Sequence, residues 1–328
     1  MRLIIDVDTG IDDALALLYA CASPEAEIVA VTCVSGNVEA EQVARNTLAV
    51  LELAGRGDIE VALGRRVPLV RPLTTAPETH GPRGLGYATL PDAAAALSSR
   101  HAADLLIEEA RRAPGELTLV TLGPLTNLAV ALQREPDLQR LLAGLVMMAG
   151  AYRSPGNTAP TTEWNVAVDP EAMAAVLAAW ADHPEVPRPV ALGLDVTERA
   201  KMTPGHLSDL HRRAGDPPAS ALLAFIDDAL RFYMEFHSRY DGFYGAFIHD
   251  ALAVAAALDP ALVRTEALTV EVELAGALTS GETVTDWRRV WGREPNLRVA
   301  IEADIGAFFD RFIERVGGLA ARLSKVAL

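Results

Sequence analysis

Residues 3–17 read Leu3-Ile4-Ile5-Asp6-Val7-Asp8-Thr9-Gly10-Ile11-Asp12-Asp13-Ala14-Leu15-Ala16-Leu17. Residues 3–7 are a short apolar run ending among carboxylates before a turn at Gly10, which predicts a buried strand and is too short for a helix. From Asp12 onward Ala, Leu and Tyr recur without a breaker, so a helix begins there. Asp12 and Asp13 suit its first turn, where the dipole favours negative charge. Asp6 and Asp8 alternate along the strand and share one side, while Asp12 and Asp13 return from the turn. Two unit charges about 4 Å apart repel by roughly 4 kcal/mol at an effective dielectric near 20. One helix N-terminus offsets about 1 kcal/mol of that. A hard divalent cation held by oxygens is the natural neutraliser, calcium if the ligands are many and flexible, magnesium if they are few and octahedral.

Two other readings fit the same stretch. One is a solvated acidic turn in which a single Asp caps the helix. The other is the phosphatase loop of the haloacid dehalogenase class, which the order Asp6-Val7-Asp8-Thr9-Gly10 resembles and in which the first Asp is a nucleophile. The stretch by itself does not choose among the three.

The remaining composition narrows the class. Half of the 328 residues are apolar, enough for a large core, and the net charge is −15. That charge argues against nucleic acid, whose phosphates need a basic face, and suits a neutral or metal-bridged ligand. Cys21 and Cys33 fall in apolar segments and read as buried thiols, which suits a reducing cytoplasm. No basic-then-apolar leader follows Met1 and no apolar run reaches the ~20 residues of a membrane span. A soluble, cytoplasmic protein without membrane partners is expected.

Strand and helix patterns alternate through most of the chain. Strands are expected at residues 27–34, 59–63, 117–122, 144–148 and 189–194, and helices at 39–54, 104–112, 126–133, from 169, 219–240, 251–258 and 305–316. Residues 269–274 and 282–285 read as a small antiparallel hairpin. Residues 68–91 and 152–165 are long polar loops, a common setting for function. The expected fold is therefore α/β, one domain over 1–328, with a mainly parallel central sheet and helices on both faces. Ligands of such sheets bind outside the carboxyl ends of the strands. Here those ends carry Asp6, Asp8, Asn37, the Leu122-Gly123 break and the loop after Met148.

Taken together, these positions resemble the nucleoside hydrolases, the calcium-dependent inosine/uridine-type N-ribohydrolases. The opening Asp6, Asp8, Gly10, Asp12 and Asp13 match that family's Asp-x-Asp-x-Gly-x-Asp-Asp motif, with Thr9 where Pro is commoner. Gly36-Asn37, His80-Gly81, Gly84-Leu85-Gly86 and Gly123-Pro124-Leu125-Thr126-Asn127 follow in order. Met148-Ala149-Gly150, Gly156-Asn157, Glu163-Trp164-Asn165, Asp169-Pro170-Glu171 and His249-Asp250 complete the match, with Ala149 standing for the usual Gly and Trp164 for the usual Phe. The match runs from residue 3 to about residue 315, and the joint order of the motifs is far more specific than any one of them.

The resemblance implies a Rossmann-like nucleoside hydrolase fold that splits ribonucleosides into base and ribose. It implies calcium held by Asp8, Asp13, Asp250 and the backbone carbonyl of Leu122, with Asp8 also serving as general base for a calcium-bound water that Asp6 orients. Asp12, Asn37, Asn157, Glu163 and Asn165 would bind ribose hydroxyls, Met148 would pack on the sugar, and His249 would help the base leave. His80, Trp164, His237 and Tyr240 are candidates for the base side. A homodimer or homotetramer is the family expectation. The chemistry asks for such groups: breaking an N-glycosidic bond builds oxocarbenium-like charge on the ribose, which carboxylates and amide oxygens stabilise where water is excluded. Structural readings stand beside these. His249-Asp250 would also suit a plain helix start, Asn157 and Asn165 turns, and Phe232, Tyr233, Phe236, His237 and Tyr240 a helix face turned to the core. A non-catalytic nucleoside or ribose sensor on the same fold is the alternative to an enzyme.

Overall fold

The computed structural model describes residues 1–215 and 220–326. Among these, the strands in chain order are β1 (Arg2–Val7), β2 (Glu27–Cys33), β3 (Glu60–Leu63), β4 (Leu117–Thr121), β5 (Leu142–Met148) and β6 (Val190–Leu192). They continue with β7 (Lys201–Met202), β8 (Ala246–Phe247), β9 (Val263–Leu268), β10 (Val270–Val272), β11 (Thr283–Thr285) and β12 (Leu297–Ala303). Eight of them form one sheet in the order β3-β2-β1-β4-β5-β6-β12-β9. Every pairing in it is parallel except β12 with β9.

Side chains of β1 alternate between two cores. Leu3, Ile5 and Val7 join the cluster under the helices Ile11–Ala22, Ala40–Leu53, His249–Leu258 and Ile305–Val326. Ile4 faces the other cluster, under Ala102–Arg112, Thr126–Arg134 and Pro170–Ala181. Burial on both faces is what a continuous apolar strand in a parallel sheet requires. The sheet order places β1 next to the crossover to β4, the switch point where open α/β sheets bind ligands.

The expected elements are present, with boundary shifts of a few residues. The hairpin is β10 with β11, shorter than expected. The closing helix reaches Val326, and the long aromatic helix is Ala221–Tyr240; its expected first residue, Ala219, lies outside the described residues. The longer elements not foreseen are the helix Pro204–Ala214 and the strands β9 and β12, and several short helices and the two-residue strands β7 and β8 were not foreseen either. β9 carries Arg264 and Glu266 and is mostly half-buried, as an edge strand is, so its apolar signal is weak. Cys33 is buried and Cys21 half-buried, and both thiols are free, with burial pushing each up to about 12. Among the described residues no helix is long and apolar enough to cross a membrane.

Candidate active site

The carboxylates of the opening motif meet those of a helix more than two hundred residues away. Asp250 opens the helix His249–Leu258, which packs along Ile11–Ala22. This brings carboxylate oxygens of Asp12, Asp13 and Asp250 within 4.8 Å of one another, all three residues buried. Asp12 meets Asp250 and Asp13 meets Asp8, side chain to side chain. Asp12, which the resemblance assigns to the ribose, thus stands within the carboxylate cluster, and Asp8 adjoins it through Asp13.

Each acid is held differently. Asp13 receives the backbone N–H of Asp8 at 3.1 Å, that of Gly10 at 2.9 Å and the Asn37 amide at 3.2 Å. Asp8 accepts the Asn37 backbone N–H on Oδ2 at 2.8 Å, while its Oδ1 is buried with no hydrogen-bond partner. The fit around Asp8 depends on two glycines. A Cβ on Gly36 would come within 2.1 Å of Asp8 Oδ2, and one on Gly123 within 2.8 Å of Oδ1. Asp6 accepts from Thr32 at 2.5 Å and Asn127 at 2.8 Å on Oδ1, and its Oδ2 is also unpartnered.

Burial raises the pKa of all five acids, and repulsion from neighbouring carboxylates adds to it for Asp6, Asp8, Asp12 and Asp250. Asp6 is pushed up to about 7 and Asp12 to about 8, while Asp8, Asp13 and Asp250 also rise. In the metal-free protein Asp6 and Asp12 therefore hold, up to about pH 7 and 8, protons that the unfolded chain releases near pH 4. Their contribution to stability is complete below that pH and is lost as pH rises through about 7 to 8. A bound cation displaces the protons. The gain in melting temperature on adding calcium to chelated protein is therefore expected to be small at about pH 5.5 and to grow steadily toward pH 8. Scanning calorimetry across that range checks it; a gain independent of pH would show that the cation does not replace protons on these groups.

Above the cluster opens a cavity of about 560 Å³. Of the residues singled out in the sequence, it is lined by Asp12, Asn37, His80, Leu122, Met148, Asn157, Glu163, Trp164, Asn165, His237, Tyr240, His249 and Asp250. Asp6, Asp8 and Asp13 are buried below this lining.

Several lining groups are partly committed. Asn165 gives its amide N–H groups to the carbonyls of Leu122 at 2.7 Å and Met148 at 3.0 Å, leaving Oδ1 for a ligand. One lone pair of the Leu122 carbonyl is thereby used and the other remains. Glu163 caps the helix Trp164–Val168, receiving the backbone N–H groups of Asn165, Gly150 and Val166. Asn157 is exposed and accepts the Trp164 backbone N–H at 2.9 Å. His80 accepts the Ile11 N–H on Nδ1 at 3.2 Å. His249 pairs Nδ1 with the Thr197 hydroxyl at 2.8 Å. Burial pushes both histidines down to about 3, so both are neutral imidazoles. On the aromatic helix, Tyr233, Phe236, His237 and Tyr240 turn toward the cavity, whereas Phe232 packs edge-on to Tyr87. Four partners escaped the sequence reading: Thr32 and Asn127 on Asp6, Thr197 on His249, and Asp241 on His237. Asn127 stood in a matched motif, but its contact with Asp6 spans 121 residues and follows from strand order alone.

Residues 3–310 match the family model described as inosine-uridine preferring nucleoside hydrolase. The chain belongs to that family. The nucleoside hydrolase assignment ends the phosphatase reading, since one family spans nearly the whole chain. Among similar proteins, the pyrimidine-specific ribonucleoside hydrolase RihA of Salmonella gallinarum is 39% identical over 318 residues, 96% of this chain and 98% of that one. A purine-preferring ribonucleoside hydrolase from Gardnerella vaginalis superposes with a TM-score of 0.90 at 30% identity, covering 98% of this chain and all of the other. A plant nucleoside hydrolase gives 0.87 at 32% identity, covering 96% and 98%. As a member of this family the chain is a nucleoside hydrolase, and the sensor alternative falls away.

Proposed function

We propose that the protein hydrolyses the N-glycosidic bond of ribonucleosides to free base and ribose, with Asp8 taking the proton of the attacking water. The observation that carries this is the buried, unpartnered Oδ1 of Asp8, fixed through its other oxygen by the Asn37 N–H and walled by two glycines. A buried acceptor without a partner is costly unless a ligand supplies one. Asp6, anchored through Oδ1, offers its free Oδ2 to orient the same water.

The donor set fits a hard cation. Its groups are all oxygens, and the side-chain contacts of Asp12 with Asp250 and of Asp8 with Asp13 juxtapose like charges. Asp8, Asp13, Asp250 and the Leu122 carbonyl are the residues we assign to it, with Asp12 adjoining, and so many oxygen donors favour calcium. When bound, the ion supplies positive charge that acidifies water and fixes the sugar hydroxyls. Asp12 and the free oxygens of Asn37 and Asn165 then accept ribose hydroxyls, and Met148 packs against the ring. These groups surround the carbon at which positive charge develops, which is where oxygen dipoles accelerate the reaction. Glu163 and Asn157 lie toward the 5′ side. His249, neutral and fixed by Thr197, is assigned to the departing base, with His80, Trp164, His237 and Tyr240 around it.

The test is release of free base from inosine, adenosine, uridine and cytidine in calcium-containing buffer, followed by ultraviolet absorbance. Release from none of them would end the proposal. The same assay addresses the 5′ end. Among the described residues, none of those lining the cavity is Lys or Arg, and we assign Glu163 to the 5′ side. Inosine 5′-monophosphate is therefore expected to show a kcat/KM at least about 10²-fold below that of inosine, since placing like charges together costs several kcal/mol. Comparable values would contradict the placement of Glu163.

A further inference from the structure

Six carboxylates line the cavity: those of Asp12, Glu78, Glu163, Glu198, Asp241 and Asp250. Asp12 and Asp250 belong to the acid cluster, and Glu163 receives three backbone N–H groups. Asp241 pairs with Nδ1 of His237 at 2.7 Å, and Glu78 is exposed to solvent. Glu198 differs from all five. It is half-buried, and among the described residues no group gives its side chain a hydrogen bond or an ion pair. Both of its oxygens retain accessible surface.

Glu198 follows the short helix Leu194–Thr197, one residue after the Thr197 hydroxyl that holds Nδ1 of His249 at 2.8 Å. The charges acting on it are those of Asp241, Lys201 and Asp195, which sets it on the His237–Asp241 side of the cavity. Lys201 itself does not line the cavity, and its Nζ is held over the rings of Phe243 and Phe247 at 4.7 and 5.5 Å. With the ribose assigned to the acid cluster and the base to the His249 wall, the outer edge of the base points at an unpaired acceptor.

We propose that Glu198 accepts a hydrogen bond from an exocyclic amino group of the base, so that the site favours cytidine over uridine and adenosine over inosine. This rests on the function proposed above and names the bases that site prefers. In these four nucleosides the group at C4 or C6 lies furthest from the glycosidic nitrogen. An amino group there donates N–H to the carboxylate. A carbonyl oxygen there turns lone pairs toward it and leaves Glu198 unpaired, the mismatch that a hydrogen-bonding site rejects most strongly. The difference widens along the reaction. As the C1′–N bond breaks, its electron pair enters the base and adds negative charge to a carbonyl oxygen, which the neighbouring carboxylate repels.

The experiment measures kcat/KM for cytidine against uridine and for adenosine against inosine. Within each pair the sugar and the leaving nitrogen are the same. Assay at pH 8 keeps Glu198 ionised against the rise in pKa that burial and Asp241 impose. The parent is expected to favour the amino member of each pair by at least about tenfold, the low end of what a hydrogen bond to a charged group is worth. Glu198→Gln keeps the side chain's size, and its amide can turn N–H to a carbonyl or oxygen to an amino group. Both ratios should then fall to within about threefold, chiefly because uridine and inosine are cleaved faster. A merely structural role for Glu198 would lower all four values together and leave the ratios alone. Smaller parent ratios, ratios that survive Glu198→Gln, or a reversed preference, as if the carboxylate met the ring N–H of uridine and inosine, would each overturn the assignment. Base release from none of the four would instead overturn the hydrolase reading, and this assignment with it.

Discussion

Thorough chelation is expected to abolish nucleoside hydrolysis, and added calcium to restore it. The reason lies in the geometry of the acids. Asp12, Asp13 and Asp250 bring oxygens within 4.8 Å of one another in a buried place, with Asp8 against Asp13. Without a cation, burial and the neighbouring Asp13 push the Asp8 pKa up, which disfavours the ionised carboxylate that must accept a proton from water. Asp13→Ala removes the carboxylate that touches most of the motif: the N–H groups of Asp8 and Gly10 and the Asn37 amide all lose their acceptor. That variant should bind no calcium by equilibrium dialysis and should show none of the rise in melting temperature that calcium gives the parent. Its activity should fall by at least about 10³, combining loss of the charge that assists the water with misplacement of Asp8. Full turnover in protein shown by elemental analysis to be metal-free would sink this reading.

Much of the architecture was legible because the decisive signals are local. The run into Gly10 followed by Asp12 and Asp13 is a strand, a turn and a helix start, each with its own residue chemistry. The alternation of such units then selects a parallel sheet, and strand ends locate the ligand. What escaped is tertiary. β12 joins the sheet between β6 and β9 although more than a hundred residues separate it from β6. Its strand pattern is interrupted by Arg298 and Glu302 on exposed positions. The helix Pro204–Ala214 buries only Leu210 and Ala214, too narrow a stripe to read with confidence from periodicity.

The site divides in the same way. Residue types at the matched motifs pointed to one place, and thirteen of the candidate site residues line one cavity. Their hydrogen-bond commitments did not follow from type. Asn165 was expected to bind ribose hydroxyls; its N–H groups hold two carbonyls, which leaves its Oδ1 for that role. The pairing of His237 with Asp241 has the i, i+4 spacing of a helix surface, so half of it was readable. That the free Nε2 faces no protein partner was not, because it depends on Phe247 and Tyr233 closing around the ring.

Asp8→Asn separates the base from the ligand most cleanly. The side chain keeps its size, which matters because Gly36 and Gly123 leave no room around Asp8 for a larger group. The amide oxygen can still accept the Asn37 N–H that Oδ2 accepts now, which turns the NH2 group toward the side where Oδ1 stands unpartnered. An amide nitrogen there cannot take a proton from water. Turnover should therefore fall by a factor of about 10² to 10⁴, the usual range for loss of a general base, on nucleosides and on p-nitrophenyl riboside alike, since both need the water. The metal-free protein should respond in the opposite sense. One buried acid crowded by Asp13 and Asp12 becomes neutral without a cavity being made, so the melting temperature of chelated Asp8→Asn near pH 8 should exceed that of chelated parent. Calcium should still raise it, by less than in the parent, because one of the assigned carboxylates is gone. Turnover within a few fold of the parent would show that Asp8 is not the base, whatever the melting curves report.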